Sequence, residues 1–558
     1  MKHLKTLYQL LSALLLTGLS SCTNLLNEAN ISPNVVDPAV SNPNMIMPNI
    51  MVPMANKYLD WGWGNISGTM QHIQHDGWYG GVNHYEWAPE DWNIYYDALR
   101  NNEFLLKSSG KFHQGIALTM KAFIFGNITD FWGDAPYTES LKGDKGLFEP
   151  QYDSQEVIYK GVIEDLKQAA AIFATGDNSG YLSGYDTFYG GDVVKWHKFA
   201  NSLLLRYYLR VSEKLPDLAK AGVEAVYNSG VYLTSSPEDA TISFVGSSAS
   251  NMWPYIFKLD QVGQSNFRRI KPAQTLLSQL MKTQDPRLQV WFAPVHVQWV
   301  ADKSLPKPVD DYIRKDGVPT NMAYADDVTL KALITDGHKL TKRFNPDTYT
   351  GAPLDTNLFV GVPAGMRWPD TYNGNPTPGQ TVENQHVSQL SDLYRYSNDN
   401  RFLKGKLISA SEVAFILAEA ALKGYQTGNA KTHYENGIRL SLQAWGVEEQ
   451  YDRFIGRPEV AYQGNLEQLI TQKWISSWTM SAEAWMDFRR TGLPRLEAGA
   501  GSAQPVLPVR FIYGDKELSL NRHNANEAIK KLEKTQYAIQ PNNQWSKPWV
   551  IQGTGKPW

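Results

Sequence analysis

Six aromatic residues sit where the chain is rich in glycine, proline and amide side chains: Trp78, Tyr79, Trp87, Trp253, Trp291 and Trp299. A ring displayed in such a setting can cover the apolar C–H face of a sugar while neighbouring Asn, Asp and Arg side chains hydrogen-bond its hydroxyls. These six are the candidate ligand-binding residues. The chain has aromatics to spare, since 18 Trp and 29 Tyr exceed what helix packing alone demands. Burial is nevertheless the commoner fate of any single tryptophan. Trp92, Trp132, Trp196, Trp445, Trp474 and Trp485 are assigned to the core.

Two further clusters carry titratable groups. His72 and His75, with Asp76 and His84 nearby, contain metal-ligand types, but His-x-x-His lacks the four-residue helical spacing of common zinc motifs, and no metal is expected. Glu483 and Asp487 share one helical face, and Glu86, Glu90 and Asp91 flank Trp87. A glycosidase needs two carboxylates about 5 to 9.5 Å apart across a cleft, which one helix does not supply. Glu483 and Asp487 are expected to pair with Arg489, Arg490 or backbone donors. No phosphate-binding glycine loop, nucleophile elbow or calcium loop occurs. The reading contains no catalytic residue and no cofactor.

Cys22 is the only cysteine in 558 residues. It follows a basic start (Lys2, Lys5), a mostly apolar run from Thr6 to Leu19, and small residues at Ser20 and Ser21. This is the pattern of a bacterial lipoprotein signal, with residues 1–21 removed and lipid attached at Cys22. Two or more acyl chains make a stable anchor. Without the signal the net charge moves from −3 to about −5 and no basic block remains, which argues against a nucleic-acid partner. A lone cysteine excludes an intramolecular disulfide.

The elements that must position these residues are mostly helical. Residues 22–53, dense in proline and asparagine, read as an extended tether. Trp92, Tyr95, Tyr96, Leu99 and Leu106 share a helical face, and Ile116 to Phe125 reads as a buried helix ending near Gly126. Asp153, three residues before Glu156, predicts a capping box opening a helix with Ile158, Val162, Leu166 and Ala169 inward. Trp196, Ala200, Leu203, Tyr207 and Val211 form another stripe. Between about 251 and 398 the helical period weakens, apart from a short helix opened by Pro272, and loop-rich insertions over the helical body are expected. Ser409 and Glu412 predict a second capping box, Gly424 a stop, and Tyr434, Ile438, Ser441 and Trp445 a partner helix. Leu466 to Trp474 begins a further helix leading to Glu483 through Arg490. Leu507 to Leu532 holds an extended segment and one helix. The expected fold is mainly α, a tetratricopeptide-like helical-repeat core with long irregular insertions, residues 54–558 forming one domain.

Several stretches resemble the SusD/RagB family, in particular its SusD-like 2 branch. They are Cys22, Asp130 to Tyr137, Gln151 to Glu156, Gly191-Asp192 with Lys195-Trp196 and Phe199 to Ser202, Asp285-Pro286-Arg287, Glu412 to Phe415 with Ala418-Glu419-Ala420, and Glu483-Ala484-Trp485 through Arg489 to Gly492 and Pro494. Gly514 departs from the family, which often has proline after the tyrosine. The resemblance implies an outer-membrane, lipid-anchored, surface-exposed nutrient-binding protein that captures oligosaccharides or similar nutrients and delivers them to a SusC-like TonB-dependent transporter without cleaving them. Two other readings of the residues stay open: a lipid-anchored glycoside hydrolase, and a helical-repeat scaffold without a small ligand.

Overall fold

The computed structural model describes residues 42–75, 80–107, 110–244, 266–377, 384–394 and 404–558. Its principal helices are α1 (Pro43–Trp63), α2 (Asn93–Lys107), α3 (Lys111–Trp132), α4 (Gln155–Phe173), α5 (Val193–Arg210), α6 (Pro216–Ser229), α7 (Gln274–Thr283), α8 (Ala410–Leu422), α9 (Ala430–Ala444), α10 (Leu466–Ser476) and α11 (Ser481–Thr491). Helix α3 packs on α4, α4 on α5 and α5 on α6, α8 packs on α9, α5 and α10, and α1 lies against α2 and α11. The fold is mainly α, as expected, and one large apolar core runs from α1 to the C-terminal residues.

Helix α1 takes residues 43–53, which proline and asparagine content had placed in the tether. Asn42 caps it by accepting from the Asn44 backbone N–H, and Pro43 occupies the first turn, where no N–H is needed. Pro48 and Pro53 lie inside the helix at a cost of about 3 kcal/mol each. Met47, Ile50, Met51 and Met54 are fully buried, and at roughly 1.5–3 kcal/mol per side chain their burial offsets that cost. Helix α3 likewise runs past Gly126 to Trp132. A Cβ at Gly126 would stand 2.0 Å from the Tyr207 hydroxyl, so this glycine lets α3 approach α5 and is no helix stop.

The caps differ in detail from expectation. Helix α4 is capped by Ser154, whose Oγ accepts from Val157 N, while Asp153 accepts from the Thr138 backbone N–H at 2.7 Å. Ser409 does cap α8, accepting from Glu412 N, but the Glu412 carboxylate turns to Arg206 and leaves the box half made. Pro272 ends a short strand, Ile270–Pro272, paired antiparallel with Ile73–His75, and α7 starts only at Gln274. The C-terminal region carries two short helices where one was expected, Asp515–Leu520 and Arg522–Lys530.

Within the region read as loops, the chain builds a small sheet of β1 (Gln298–Ala301), β2 (Arg314–Lys315), β3 (Val318–Pro319) and β4 (Leu340–Phe344), in the order β1-β4-β2-β3. β1 and β4 are parallel and the other pairs antiparallel. Asp316-Gly317, both at positive φ, make the two-residue turn between β2 and β3. Val297, Ile313, Leu330 and Leu340 form a separate small core beneath it.

A buried ionic network ties the main helices together. Arg206 of α5 grips Glu412 of α8 with two bonds of 2.8 Å and donates to Leu407 O. Arg210 of α5 donates to Glu483 of α11 at 2.7 Å and lies 3.4 Å from Asp130 of α3. Asp487 of α11 pairs with Lys473 of α10 and with Arg490, and Arg490 reaches Glu419 of α8. Burial pushes the Glu483 carboxyl up, but Arg206 and Arg210 outweigh it and hold it below the usual range. Asp130 stays raised, because burial exceeds what Arg210 returns.

Candidate functional site

Three of the six candidate aromatics are core residues. Trp87, 5% exposed, donates its indole N–H to Gly81 O and sets its ring edge-on to Trp485 and Phe511. Trp291, with no exposed surface, stacks on Trp478 under the Arg287 guanidinium. Trp299, 3% exposed, stacks on His386 at 4.3 Å and donates to Asn373 O. None offers a ring face to a ligand, which corrects the expectation for all three. Glycine and proline around them mark turns, but the side chains fold back and fill volume under those turns. Trp78, Tyr79, Trp253 and Cys22 lie outside the described residues.

The carboxylates are also accounted for. Glu483 bonds Arg206 and Arg210 of α5 rather than the neighbouring Arg489 or Arg490, whereas Asp487 does take Arg490. Glu90 accepts from the Trp61 indole and faces Lys57. Asp91 accepts from the Asn93 backbone. His72 donates from Nε2 to Trp474 O, its Nδ1 stands 2.9 Å from Ser481 Oγ, and burial pushes it down to about 3. Among the described residues no three His, Cys, Asp or Glu side chains gather to hold a metal ion.

What the fold does display is a junction of three loops. Residues 80–88 approach residues 363–374 through the bond from His84 Nε2 to Arg367 O, 3.1 Å, and approach residues 496–504 through Ala503 N donating to His84 O, 3.0 Å. The second and third loops cross so closely that a Cβ at Gly499 (φ +87°) would lie 2.0 Å from Ala364 O, and one at Gly365 (φ +68°) 2.4 Å from Ala498 O. Only glycine fits at either place. Tyr85, buried at φ +64°, holds a conformation costly for a bulky residue beside this junction.

Trp368 stands at the outer edge of the junction. It is 59% exposed, the most exposed tryptophan among the described residues. Beside it Arg367 meets Glu86 at 3.8 Å, both side chains about half exposed, so the pair contributes little stability and can exchange its bonds for those of a ligand. Asp370 Oδ1, on the other flank, is buried and without a hydrogen-bond partner among the described residues. A flat ring, a guanidinium and a carboxylate on one rim can stack a sugar ring and bond its hydroxyls. Arg367 and Trp368 were missed from sequence. The available signal was a tryptophan set between Arg367 and Pro369-Asp370, polar neighbours that leave it no apolar stripe to join.

The family model SusD-like_2, described as "Starch-binding associating with outer membrane", matches residues 34–304 and 359–514. The gap between the two blocks holds β2, β3 and β4. No curated protein sequence matches the chain. Among solved structures, a chitin-binding protein superposes with TM-score 0.67 at 22% identity, covering 91% of this chain and 100% of its own. A SusD homologue from Bacteroides fragilis NCTC 9343 gives 0.66 at 18%, covering 89% and 99%. A chitin-binding SusD homologue from Flavobacterium johnsoniae gives 0.62 at 20%, covering 91% and 99%. These likenesses establish the shared fold, and the family match over most of its length shows that the chain belongs to the SusD-like_2 family.

Proposed function

We propose that this protein is a lipid-anchored, outer-membrane oligosaccharide-binding protein that hands its ligand intact to a SusC-like TonB-dependent transporter. Trp368 carries the reading: an exposed indole on a loop junction beside Arg367 and Glu86 is an arrangement that suits a sugar ring. Trp78, Tyr79 and Trp253 remain ligand candidates, the first two lying just ahead of Gly80, where the first of the three loops begins. Cys22 is the proposed lipid attachment point, the chain from α1 onward the proposed binding body, and the cell surface the proposed location. Family membership supports a binding role, and SusD-like proteins generally work with SusC-like transporters.

Calorimetric titration of the chain from Thr23 against chitin- and malto-oligosaccharides, with Trp368→Ala and Trp78→Ala as variants, tests the reading. Saturable binding that Trp368→Ala weakens, with the sugar recovered uncleaved, is the expected result. Release of shorter products would favour a hydrolase. Silence across the panel, with a barrel transporter captured from membranes, would favour a scaffold.

A further inference from the structure

A cavity of about 350 Å³ opens where α7 ends and residues 448–457 turn, and none of its lining residues belongs to the loop junction around Trp368. Its volume lies in the range of small-molecule sites, about 300–1,000 Å³. Gln284, Gln289, Gln450, Arg453 and Arg457 supply its polar lining, over Phe454.

The charge balance of this lining is uneven. Asp285 is its only carboxylate, and Arg287 occupies both oxygens, from Nε at 2.9 Å and from Nη2 at 2.6 Å. That pair is electrically neutral. Arg453 and Arg457 have no carboxylate within ion-pairing distance among the described residues, so neither guanidinium is engaged in an ion pair. Arg457 donates from Nη2 to the Gln284 side-chain oxygen at 2.6 Å, while its Nε is buried and meets no acceptor. A buried guanidinium N–H left unpaired is costly, so the Arg457 side chain is not fully satisfied by the protein itself. The planar guanidinium fork matches a carboxylate in two-point contact, and amides such as Gln289 and Gln450 match hydroxyls in both donor and acceptor roles.

We propose that this cavity is a second carbohydrate site, selective for acidic sugars, in which a uronate carboxylate seats between Arg453 and Arg457 and the ring hydroxyls meet the glutamine amides. The saccharide part rests on the function proposed above; the preference for an anion rests only on the cavity. The two sites would let one protein hold a charged glycan at two separated points, with the affinity gain of bivalent attachment.

The test is calorimetry on the chain from Thr23 with trigalacturonate, its neutral counterpart galactotriose, and sodium sulfate alone, at two salt concentrations. The parent is compared with Arg453→Gln, with Arg453→Gln/Arg457→Gln and with Trp368→Ala. Arg453 is exposed and Arg457 half-buried, so these variants should melt with the parent. Expected are saturable binding of trigalacturonate that weakens with salt, at least a tenfold loss in the double variant that exceeds the loss in Trp368→Ala, and a smaller loss in Arg453→Gln. The neutral trimer should bind this site at least tenfold more weakly. No saturable binding of trigalacturonate to the folded parent, full binding by the double variant, or equal affinity for galactotriose or for sulfate alone would each overturn the proposal. Neutral-sugar binding lost in Trp368→Ala while the uronate result is negative would refute this site and leave the proposed function standing.

Discussion

Replacing Glu483 by Gln removes the charge that holds two buried arginines. In the native protein its carboxylate accepts from Arg210 Nη2 at 2.7 Å, stands 3.4 Å from Arg206 Nη1 and accepts from the Tyr58 hydroxyl at 3.3 Å, all side chains at most 6% exposed. Arg206 keeps its two bonds to Glu412, so the loss falls on Arg210, which is left with Asp130 at 3.4 Å. Breaking a buried pair by removing one partner costs about 3–5 kcal/mol. With an unfolding entropy near 2.1 cal/mol/K per residue, a body of roughly 500 residues has about 1 kcal/mol/K, so the expected drop in melting temperature is about 3–5 °C. The pH dependence has a definite sign. Because the folded Glu483 pKa lies below the unfolded value of about 4.3, its contribution is complete above that value and is lost as pH falls through the folded pKa. The variant should therefore lose its deficit in acid. Calorimetric melts at pH 7.5 and in a series below pH 4.5 read this directly, with Glu483→Gln/Arg210→Met as the second arm, where removal of both charges should recover much of the loss. A melting point within 1 °C of the parent at pH 7.5, or a double variant less stable than Glu483→Gln, would refute the reasoning.

Trp368→Ala should weaken oligosaccharide binding about tenfold, equivalent to about 1.4 kcal/mol, with an unchanged melting curve, because the ring buries little in the free protein. Trp291→Ala should do the reverse, costing about 3–5 kcal/mol of stability by opening a cavity beneath Trp478 without touching a ligand contact, as thermal melts and titration of the folded fraction will show. Gly499→Ala should separate the two crossed loops, since its Cβ would enter the Ala364 carbonyl at a positive φ; a loss of sugar affinity larger than the loss of stability is expected from paired titration and melting.

Much of the helical body was legible in the residues themselves. The stripe from Trp196 to Tyr207 became α5 with Val211 at its C-cap, and Ser409 caps α8, because periodic burial and capping are local properties that neighbours in the chain decide. The errors came where a local signal had a nonlocal use. Proline and asparagine at 43–53 read as tether, yet burial of four side chains against distant helices outweighs two interior prolines. Gly126 read as a stop, but its missing Cβ serves a contact with Tyr207, 81 positions away along the chain.

The sequence by itself determined that aromatics are abundant, that the chain is helical and that its ordered motifs resemble one family. Which rings are free was decided only by the tertiary structure. Trp87, Trp291 and Trp299 sit among glycines and prolines like Trp368, yet the first three find Trp485, Trp478 and His386 to pack against, and Trp368 finds no such ring among the described residues. Exposure depends on what long-range contacts leave over. The same holds for charge: Glu483 and Asp487 are expected from the sequence to pair with Arg489, Arg490 or backbone donors, and only the tertiary structure brings Arg206, Arg210 and Lys473 to them from other helices.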